Sequence, residues 1–135
     1  MRVSIYRKAH FNAAHRLHNP KWSEEKNKSV FGKCNNANYH GHNYEMEVKL
    51  TGETDPETGY LFDLHQLAVL IKKHIEDELD HKNLNLDVAY FRDKMPSTEN
   101  LCFFVWETLR EHIDEAIDIS VRIWETPRNS AEYPA

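Results

Sequence analysis

Several features that mark other classes of protein are missing from this chain. It has only two cysteines in 135 residues, Cys34 and Cys102, so we expect no disulfide framework and two reduced thiols. No apolar run approaches the ~18 residues that would span a membrane, and the N-terminal residues lack the apolar core of a signal peptide. We therefore expect no membrane contact and a cytoplasmic location.

Clustered basic residues and glycine-rich loops are missing as well. Lysine and arginine are scattered along a chain of net charge −5 and sequence pI about 6.0, which argues against a nucleic-acid partner. The sequence shows no Gly-rich loop of the kind that binds a dinucleotide. There are no repeats, linkers or low-complexity tracts, so we predict one domain over residues 1–135. A chain of this size can bury a core without a structural metal, and any metal should then be catalytic.

Histidine, in contrast, is abundant, with nine residues in the chain. Two of them lie in residues 32–44, GKCNNANYHGHNY, where His40 and His42 are two positions apart. In an extended strand both imidazoles would project from the same face. A catalytic zinc typically takes three protein ligands, so this motif predicts part of a metal site whose third ligand comes from elsewhere. Taken alone, the motif could equally be chance in a histidine-rich chain.

Two segments of alternating polarity predict a pair of strands that supplies this third ligand. Residues 2–16 and 39–53 each place apolar side chains on one face, and His15 falls on the apolar face of the first segment. Antiparallel pairing would bring His15 beside His40 and His42. A lone imidazole there could be a hydrogen-bonded core residue, but three buried imidazoles satisfy one another poorly without a cation. The convergence favours a metal site.

The thiol of Cys34 precedes the second strand. Residues 18–33, before it, are polar and aperiodic, which predicts a long, functional loop with a helical turn near residues 23–28. Cys34 could be a metal ligand or a small buried hydrophobe, but its Gly- and Asn-rich surroundings favour a nucleophile or base that faces a substrate. Cys102 lies in an apolar helical segment without a cationic neighbour, which indicates a packing residue.

The second half of the chain predicts two helices followed by two strands. Asp63 is the expected N-cap of the first helix, and Ser97 or Thr98 that of the second. Between the helices, Asp80 and His81 are either an orienting pair, which adjacent residues can form only in a turn, or a helix cap made by His81. Residues 117–125 alternate as a third strand, and a turn and a short last strand follow.

Glu125 continues the apolar stripe of this third strand, so its carboxylate should point toward the core. A buried carboxylate needs a hydrogen-bond donor, which could be a helix N-terminus, a metal-bound group or a ligand that carries N–H groups. The alternative is a frayed strand end with Glu125 in solvent.

Five segments in order, nearly end to end, resemble the 6-pyruvoyl tetrahydropterin synthase family: FNAAHR at residues 11–16, GKCNNANYHGHNY at 32–44, LDHKNLN at 79–85, PSTEN at 96–100 and WETPRNSAEY at 124–133. The resemblance implies an α+β T-fold (tunnelling fold), in which a four-stranded antiparallel sheet carries two helices on one face in the order ββααββ. It also implies a homo-oligomeric barrel, typically a hexamer made of two trimers, with active sites between subunits.

The same resemblance implies a role for each candidate residue. Three ligands would hold Zn²⁺: His15, His40 and His42. Cys34 would abstract a proton, with Asp80 and His81 as its relay. Glu125 would act in the reaction by anchoring the pterin ring, and Thr98 and Glu99 would help to bind substrate. The triphosphate-binding residues are left open among Lys33, Lys82, Arg16 and Arg128, as is a supporting role for Mg²⁺.

The implied activity is that of a zinc-dependent lyase, which converts 7,8-dihydroneopterin triphosphate to 6-pyruvoyltetrahydropterin and triphosphate in tetrahydropterin biosynthesis. The five residues between Cys34 and His40 are typical of the pyruvoyl form. Related 6-carboxytetrahydropterin synthases, which release acetaldehyde on the queuosine route to deazapurine nucleosides, commonly have a shorter spacing and are the first alternative. Ala37 and Tyr39 stand where the family often has Pro and Gly, which bears on substrate preference. A non-catalytic pterin- or metal-binding scaffold is the second alternative.

Overall fold

The computed structural model describes all 135 residues and contains one five-stranded sheet with helices packed on one face. The strands are β1 (Arg2–His15), β2 (His40–Glu53), β3 (Lys82–Asn83), β4 (Asp118–Thr126) and β5 (Asn129–Tyr133). The helices are α1 (Glu24–Phe31), α2 (Leu64–Ile71), α3 (Asp77–Leu79), α4 (Leu84–Asp87) and α5 (Thr98–Arg110). A π-helical segment, Lys72–Glu76, joins α2 to α3.

The order of strands across the sheet is β3-β1-β2-β4-β5. The four longer strands pair antiparallel, as predicted, with β1 and β2 in register from Arg2 opposite Glu53 to His15 opposite His40. The predicted four-stranded, purely antiparallel sheet is wrong in its strand count and order, because the short β3 adds a fifth, parallel strand beside β1. Additional helices, among them the eight-residue α1 between β1 and β2, also interrupt the predicted order ββααββ.

A turn after α3 creates β3. His81 has a positive φ of 60°, and its backbone N–H donates to the carbonyl of Asn12 over 2.6 Å. The left-handed conformation redirects the chain alongside the end of β1, where Lys82 and Asn83 pair with Ala13 and Ala14. Residue spacing alone does not predict this contact, since it joins positions far apart in the chain.

The hydrophobic core lies between the helices and one face of the sheet. Alternate β2 residues from Tyr44 to Leu50 are fully or almost fully buried, and the ring of Tyr44 stacks on that of Phe11 at 4.9 Å. Both predicted helix caps form, with the Asp63 side chain accepting from the backbone N–H of His65 and the Ser97 hydroxyl from that of Asn100. Each such cap stabilises a helix by about 1 kcal/mol. No helix combines the length and the apolar character that a membrane span requires.

The predicted long loop over residues 18–33 is more ordered than its polar sequence indicated. Its predicted helical turn is the eight-residue helix α1, which Ser23 caps by accepting from the N–H of Lys26. A 3₁₀ turn over Gly32–Asn35 follows directly and carries Cys34. Gly32 adopts a positive φ of 56°, the region that glycine enters without strain, and so allows the change of direction between the two.

Candidate active site

Three histidines converge at the end of the β1–β2 ladder. Candidate ligand atoms of His15, His40 and His42 all lie within 4.8 Å of one another. The rings meet edge to face, with centroids 4.6 to 5.0 Å apart. The antiparallel register produces this cluster, because it places His15 opposite His40 and leaves His42 two residues further along the same face. The pairing therefore brings the third histidine to the other two as predicted.

Four ring nitrogens of this cluster lack a hydrogen-bond partner within the chain. Nε2 of His15, Nε2 of His42 and both ring nitrogens of His40 are buried without a hydrogen bond. Buried polar atoms are rarely left unpaired, because each costs free energy on leaving water. Burial also lowers the pKa of His15 and of His42, which favours the neutral imidazole that a metal ion binds. The donor set and its burial fit a divalent cation.

The carbonyl of Pro96 sets the tautomer of His15. It lies 2.7 Å from Nδ1 of the fully buried His15 ring. A carbonyl can only accept, so Nδ1 carries the proton and donates, and the Nε2 lone pair faces the other two histidines. Sequence reasoning missed this contact, because a backbone carbonyl has no signature in the residue pattern.

A second missed neighbour of the cluster is Tyr44. Its hydroxyl lies 3.4 Å from Nδ1 of His15, and its buried ring meets that of His42 edge to face at 5.5 Å. Burial raises the pKa of Tyr44, so the hydroxyl stays protonated. The alternation that places His40 and His42 on one face also includes Tyr44, and this pattern could have identified it.

Glu125 reaches the cluster from β4. One carboxylate oxygen lies 3.6 Å from Nε2 of His42, and the other accepts a hydrogen bond of 2.9 Å from the Thr98 hydroxyl. The side chain is 23% exposed, so the frayed-end alternative is wrong. Thr98 is the first residue of α5 and provides one of the donors that a buried carboxylate needs. Glu99 is exposed, and no hydrogen bond joins it to the site.

Cys34 is half-buried, and its carbonyl accepts a 2.9 Å hydrogen bond from the backbone N–H of Leu17. The other thiol, Cys102, is buried in α5 and donates to the carbonyl of Ala131. Burial raises the pKa of Cys102 to about 12, which keeps it a protonated packing residue, as expected.

Asp80 and His81 form the orienting pair, with 2.9 Å between the Asp80 carboxylate and Nδ1 of His81. The backbone N–H of Asn12 donates to the same carboxylate over 2.8 Å. This bond and then the His81 contact hold the pKa of Asp80 below its usual value. No hydrogen bond joins the pair to Cys34 within the chain. His81 and Lys82 instead line an open cleft of about 540 Å³ together with His42.

Comparisons with known proteins find relatives that match nearly the whole chain. The family model described as 6-pyruvoyl tetrahydropterin synthase matches residues 4–135. The chain is 43% identical to the 6-pyruvoyl tetrahydrobiopterin synthase of Poecilia reticulata, over 96% of this chain and 88% of the relative. It is 40% identical to the human protein of the same name, over 97% and 90% of the two chains.

A solved structure is similar over almost the whole chain. The 6-pyruvoyl tetrahydropterin synthase of Caenorhabditis elegans superposes with a TM-score of 0.92 at 41% identity, covering 98% of this chain and 95% of that one. The match to the family model, together with relatives at this identity and coverage, shows that the chain belongs to the 6-pyruvoyl tetrahydropterin synthase family.

Proposed function

We propose that this protein is a 6-pyruvoyltetrahydropterin synthase, a lyase that converts 7,8-dihydroneopterin triphosphate to 6-pyruvoyltetrahydropterin and triphosphate. The observation that carries the proposal is the cluster of His15, His40 and His42 with Glu125 beside it, in a chain at least 40% identical to synthases of that name. These relatives also favour the pyruvoyl form over the carboxy form.

Zn²⁺ is the metal that we propose for the three histidines. Three imidazoles with unpaired, buried nitrogens are the donor set of a catalytic zinc that keeps one position open. When bound, the ion would supply Lewis acidity to the side-chain hydroxyls of the substrate. The hydrogen bond from His15 to Pro96 supports this assignment, because it keeps the Nε2 lone pair of His15 directed at the cluster.

Cys34 is the proposed base that removes a proton from the carbon next to the substrate hydroxyl. His81 would accept the thiol proton and so make the thiolate available. Asp80 holds Nδ1 of His81, which leaves Nε2 of the exposed ring free to meet a thiol. The backbone N–H of Asn12 in β1 donates to the Asp80 carboxylate and fixes it in turn. The orientation of the His81 ring therefore depends on β1.

Glu125 is the proposed anchor of the pterin ring, whose 2-amino and ring N–H edge matches the two oxygens of a carboxylate. The hydroxyl of Thr98 orients the carboxylate by donating to one of its oxygens. Thr98 thereby contributes to substrate binding through Glu125. For Glu99, which is exposed, the same role rests on the resemblance alone.

We further propose that the active site forms between subunits of a T-fold barrel, a hexamer of two trimers, in a cytoplasmic enzyme whose single domain is residues 1–135. Cys34 and His81 share no hydrogen bond within one chain, which supports a site completed by a neighbouring subunit. The sheet also has open edges: β1 has no partner beyond β2 over most of its length, and β5 is the last strand. Closing a ring would pair these exposed backbone groups.

One experiment tests the proposed reaction directly. Zinc-loaded protein is incubated with 7,8-dihydroneopterin triphosphate, and triphosphate, acetaldehyde and the pterin product are measured together, with the Cys34→Ala variant as the control. We expect triphosphate and 6-pyruvoyltetrahydropterin without acetaldehyde. Stoichiometric acetaldehyde would assign the carboxy reaction instead, and the absence of all three products would refute the proposal in favour of a non-catalytic scaffold.

A further inference from the structure

Two asparagines are buried in the segment around Cys34, although asparagine is mostly an exposed residue. Asn27 is 0% exposed and Asn35 is 6% exposed. The amide of Asn27 bonds to the backbone of Asn19, Trp22 and Ser23, so it stabilises α1 and the turn before it. The amide of Asn35 makes its contacts further away, with the chain that continues from β1.

Leu17 is bracketed by two consecutive residues of the 3₁₀ turn. Its backbone N–H donates to the carbonyl of Cys34 over 2.9 Å, and its carbonyl accepts from Nδ2 of Asn35 over 2.8 Å. Both backbone groups of Leu17 are thereby hydrogen-bonded, as they would be in a pair of strands. One partner is the Cys34 backbone and the other is the Asn35 side chain. Leu17 is two residues beyond His15. This bracket therefore connects the thiol segment, the 3₁₀ turn Gly32–Asn35 that carries Cys34, to a proposed metal ligand through a very short stretch of chain.

Neighbouring residues strengthen the same connection. Nδ2 of Asn35 also donates to Nδ1 of His18 over 2.9 Å, and the Asn35 carbonyl accepts from Nε of Arg16 over 2.9 Å. On the other side of Arg16, the side-chain amide of Asn85 bonds to both of its backbone groups. Residues 16–18 are thus held between the thiol segment and α4, and Asn35 contacts all three of them.

We propose that Asn35 is a positioning residue for Cys34, which its amide holds at a fixed offset from His15. The proposal rests on the proposed role of Cys34 as the base. The flanking residues provide little other support: Gly32 and Lys33 before the thiol and Asn36, Ala37 and Asn38 after it are exposed. Without the Asn35 amide, the long-range hydrogen bonds left to this turn would be the backbone bond from Leu17 to Cys34 and the bond from Arg16 to the Asn35 carbonyl. A base that is displaced by about 1 Å can lose about a hundredfold in rate.

Asn35→Ala and Asn35→Asp test this role. Asn35→Ala removes the Nδ2 donor. Asn35→Asp keeps nearly the same side-chain shape but turns a carboxylate toward the Leu17 carbonyl. Asn38→Ala and Asn38→Asp are the matched controls. The side chain of Asn38 is exposed and makes no hydrogen bond, and the two substitutions change the charge in the same way as those at Asn35. We expect kcat to fall by about one to two orders of magnitude in both Asn35 variants, with KM and bound zinc unchanged and with full activity in the controls.

A second readout does not depend on turnover. Wild-type protein and variants are treated with iodoacetamide, and the modified cysteine is identified by mass spectrometry. Loss of the Asn35 amide contacts should increase the rate of Cys34 alkylation about fivefold. This is the effect that one net hydrogen bond has on the local opening of a segment. Cys102, which is buried, serves as the internal reference and should stay unmodified. Faster modification of both cysteines would indicate general unfolding and overturn the proposal.

The two readouts separate failure of this inference from failure of the proposed function. If the wild-type protein turns over no substrate, the proposed function fails and the alkylation rates alone decide whether Asn35 places the thiol. If the wild type is active and the Asn35 variants match the Asn38 controls in kcat and in Cys34 alkylation, Asn35 has no positioning role. A decrease only in the melting temperature would likewise reduce Asn35 to a structural residue.

Discussion

His15 lies directly opposite His40 in the β1–β2 ladder, with their ring centroids 4.6 Å apart. This single cross-strand pair converts the His-Gly-His motif into a three-histidine cluster, because His42 already shares a face with His40. The two strands are joined by hydrogen bonds over their full length, so the three imidazoles are held on a rigid ladder. Such support suits a metal centre, whose ligands must keep their geometry during catalysis.

Replacing any one of the three histidines by alanine should abolish stoichiometric zinc binding. Each substitution removes one of three proposed ligands, and the two that remain do not complete the coordination shell. Zinc is measured by elemental analysis after purification and desalting. His65→Ala is the control, because His65 is exposed on α2 and should retain zinc. Full zinc occupancy in His42→Ala would contradict the ligand assignment.

Cys34→Ala should have no measurable turnover but should keep its zinc. The substitution removes the proposed base and leaves the three histidines intact. Cys102→Ala is the matched control: it removes a buried thiol, costs about 1 kcal/mol of stability and should leave turnover in place. If Cys34→Ala loses zinc in stoichiometric amounts, Cys34 is a metal ligand and its assignment as the base is wrong.

Glu125→Gln should weaken pterin binding about tenfold without loss of zinc, because it replaces a charged acceptor by a neutral one. Thr98→Val should have a smaller effect in the same direction, since it releases the carboxylate that Thr98 orients. Binding is followed by fluorescence titration with a reduced pterin. Glu111→Gln, on the exposed end of α5, is the control. Unchanged affinity in Glu125→Gln would remove Glu125 from the binding site.

A mixture of two inactive variants should regain activity if subunits share active sites. Cys34→Ala and His81→Ala are each expected to be inactive. In random co-assemblies, about a quarter of the shared sites would combine an intact Cys34 from one chain with an intact His81 from another. Activity is measured after co-expression with two different affinity tags and tandem purification. Inactive mixed oligomers would place both residues of each site on the same chain.

His74→Gln should reduce the loss of stability in mild acid. The ring of His74 stacks on that of His112 with centroids 4.0 Å apart, and burial, followed by the neighbouring His112 charge, lowers the His74 pKa below 6.5. The unfolded chain therefore takes up a proton on His74 near pH 6.5 while the folded chain does so only at lower pH, so stability falls as pH drops through this window.

The measurement for His74 is the melting temperature of wild type and variant between pH 7.5 and 5. The decrease in melting temperature with falling pH should be smaller in His74→Gln than in the wild type. The two curves of melting temperature against pH should converge above the usual histidine pKa. Zinc release contributes equally to both proteins, so the difference between them isolates His74. His65→Gln provides the matched exposed control and should follow the wild type. Parallel curves for His74→Gln and wild type would contradict the prediction.

Much of the fold follows from local patterns in the sequence. The alternation in residues 2–16 and 39–53 identified β1 and β2 to within a residue or two, and Asp63 and Ser97 marked the starts of two helices correctly. These predictions succeeded because strand alternation and helix capping act over two to four residues. The helix α1 was underestimated, since its polar sequence has little hydrophobic periodicity and its buried Asn27 contributes hydrogen bonds in place of apolar contacts.

The sequence alone determined which residues could form the site: the spacing of His40 and His42, the position of His15 on an apolar stripe and that of Glu125 at the end of another. Only the tertiary structure decided how they are held. Four contacts were not predicted: the Pro96 carbonyl on His15, the Thr98 hydroxyl on Glu125, the Asn12 N–H on the Asp80 carboxylate and the Asn35 bracket around Leu17. The physical reason is that each joins a single polar atom to a distant part of the backbone, and such contacts produce no periodicity in the sequence.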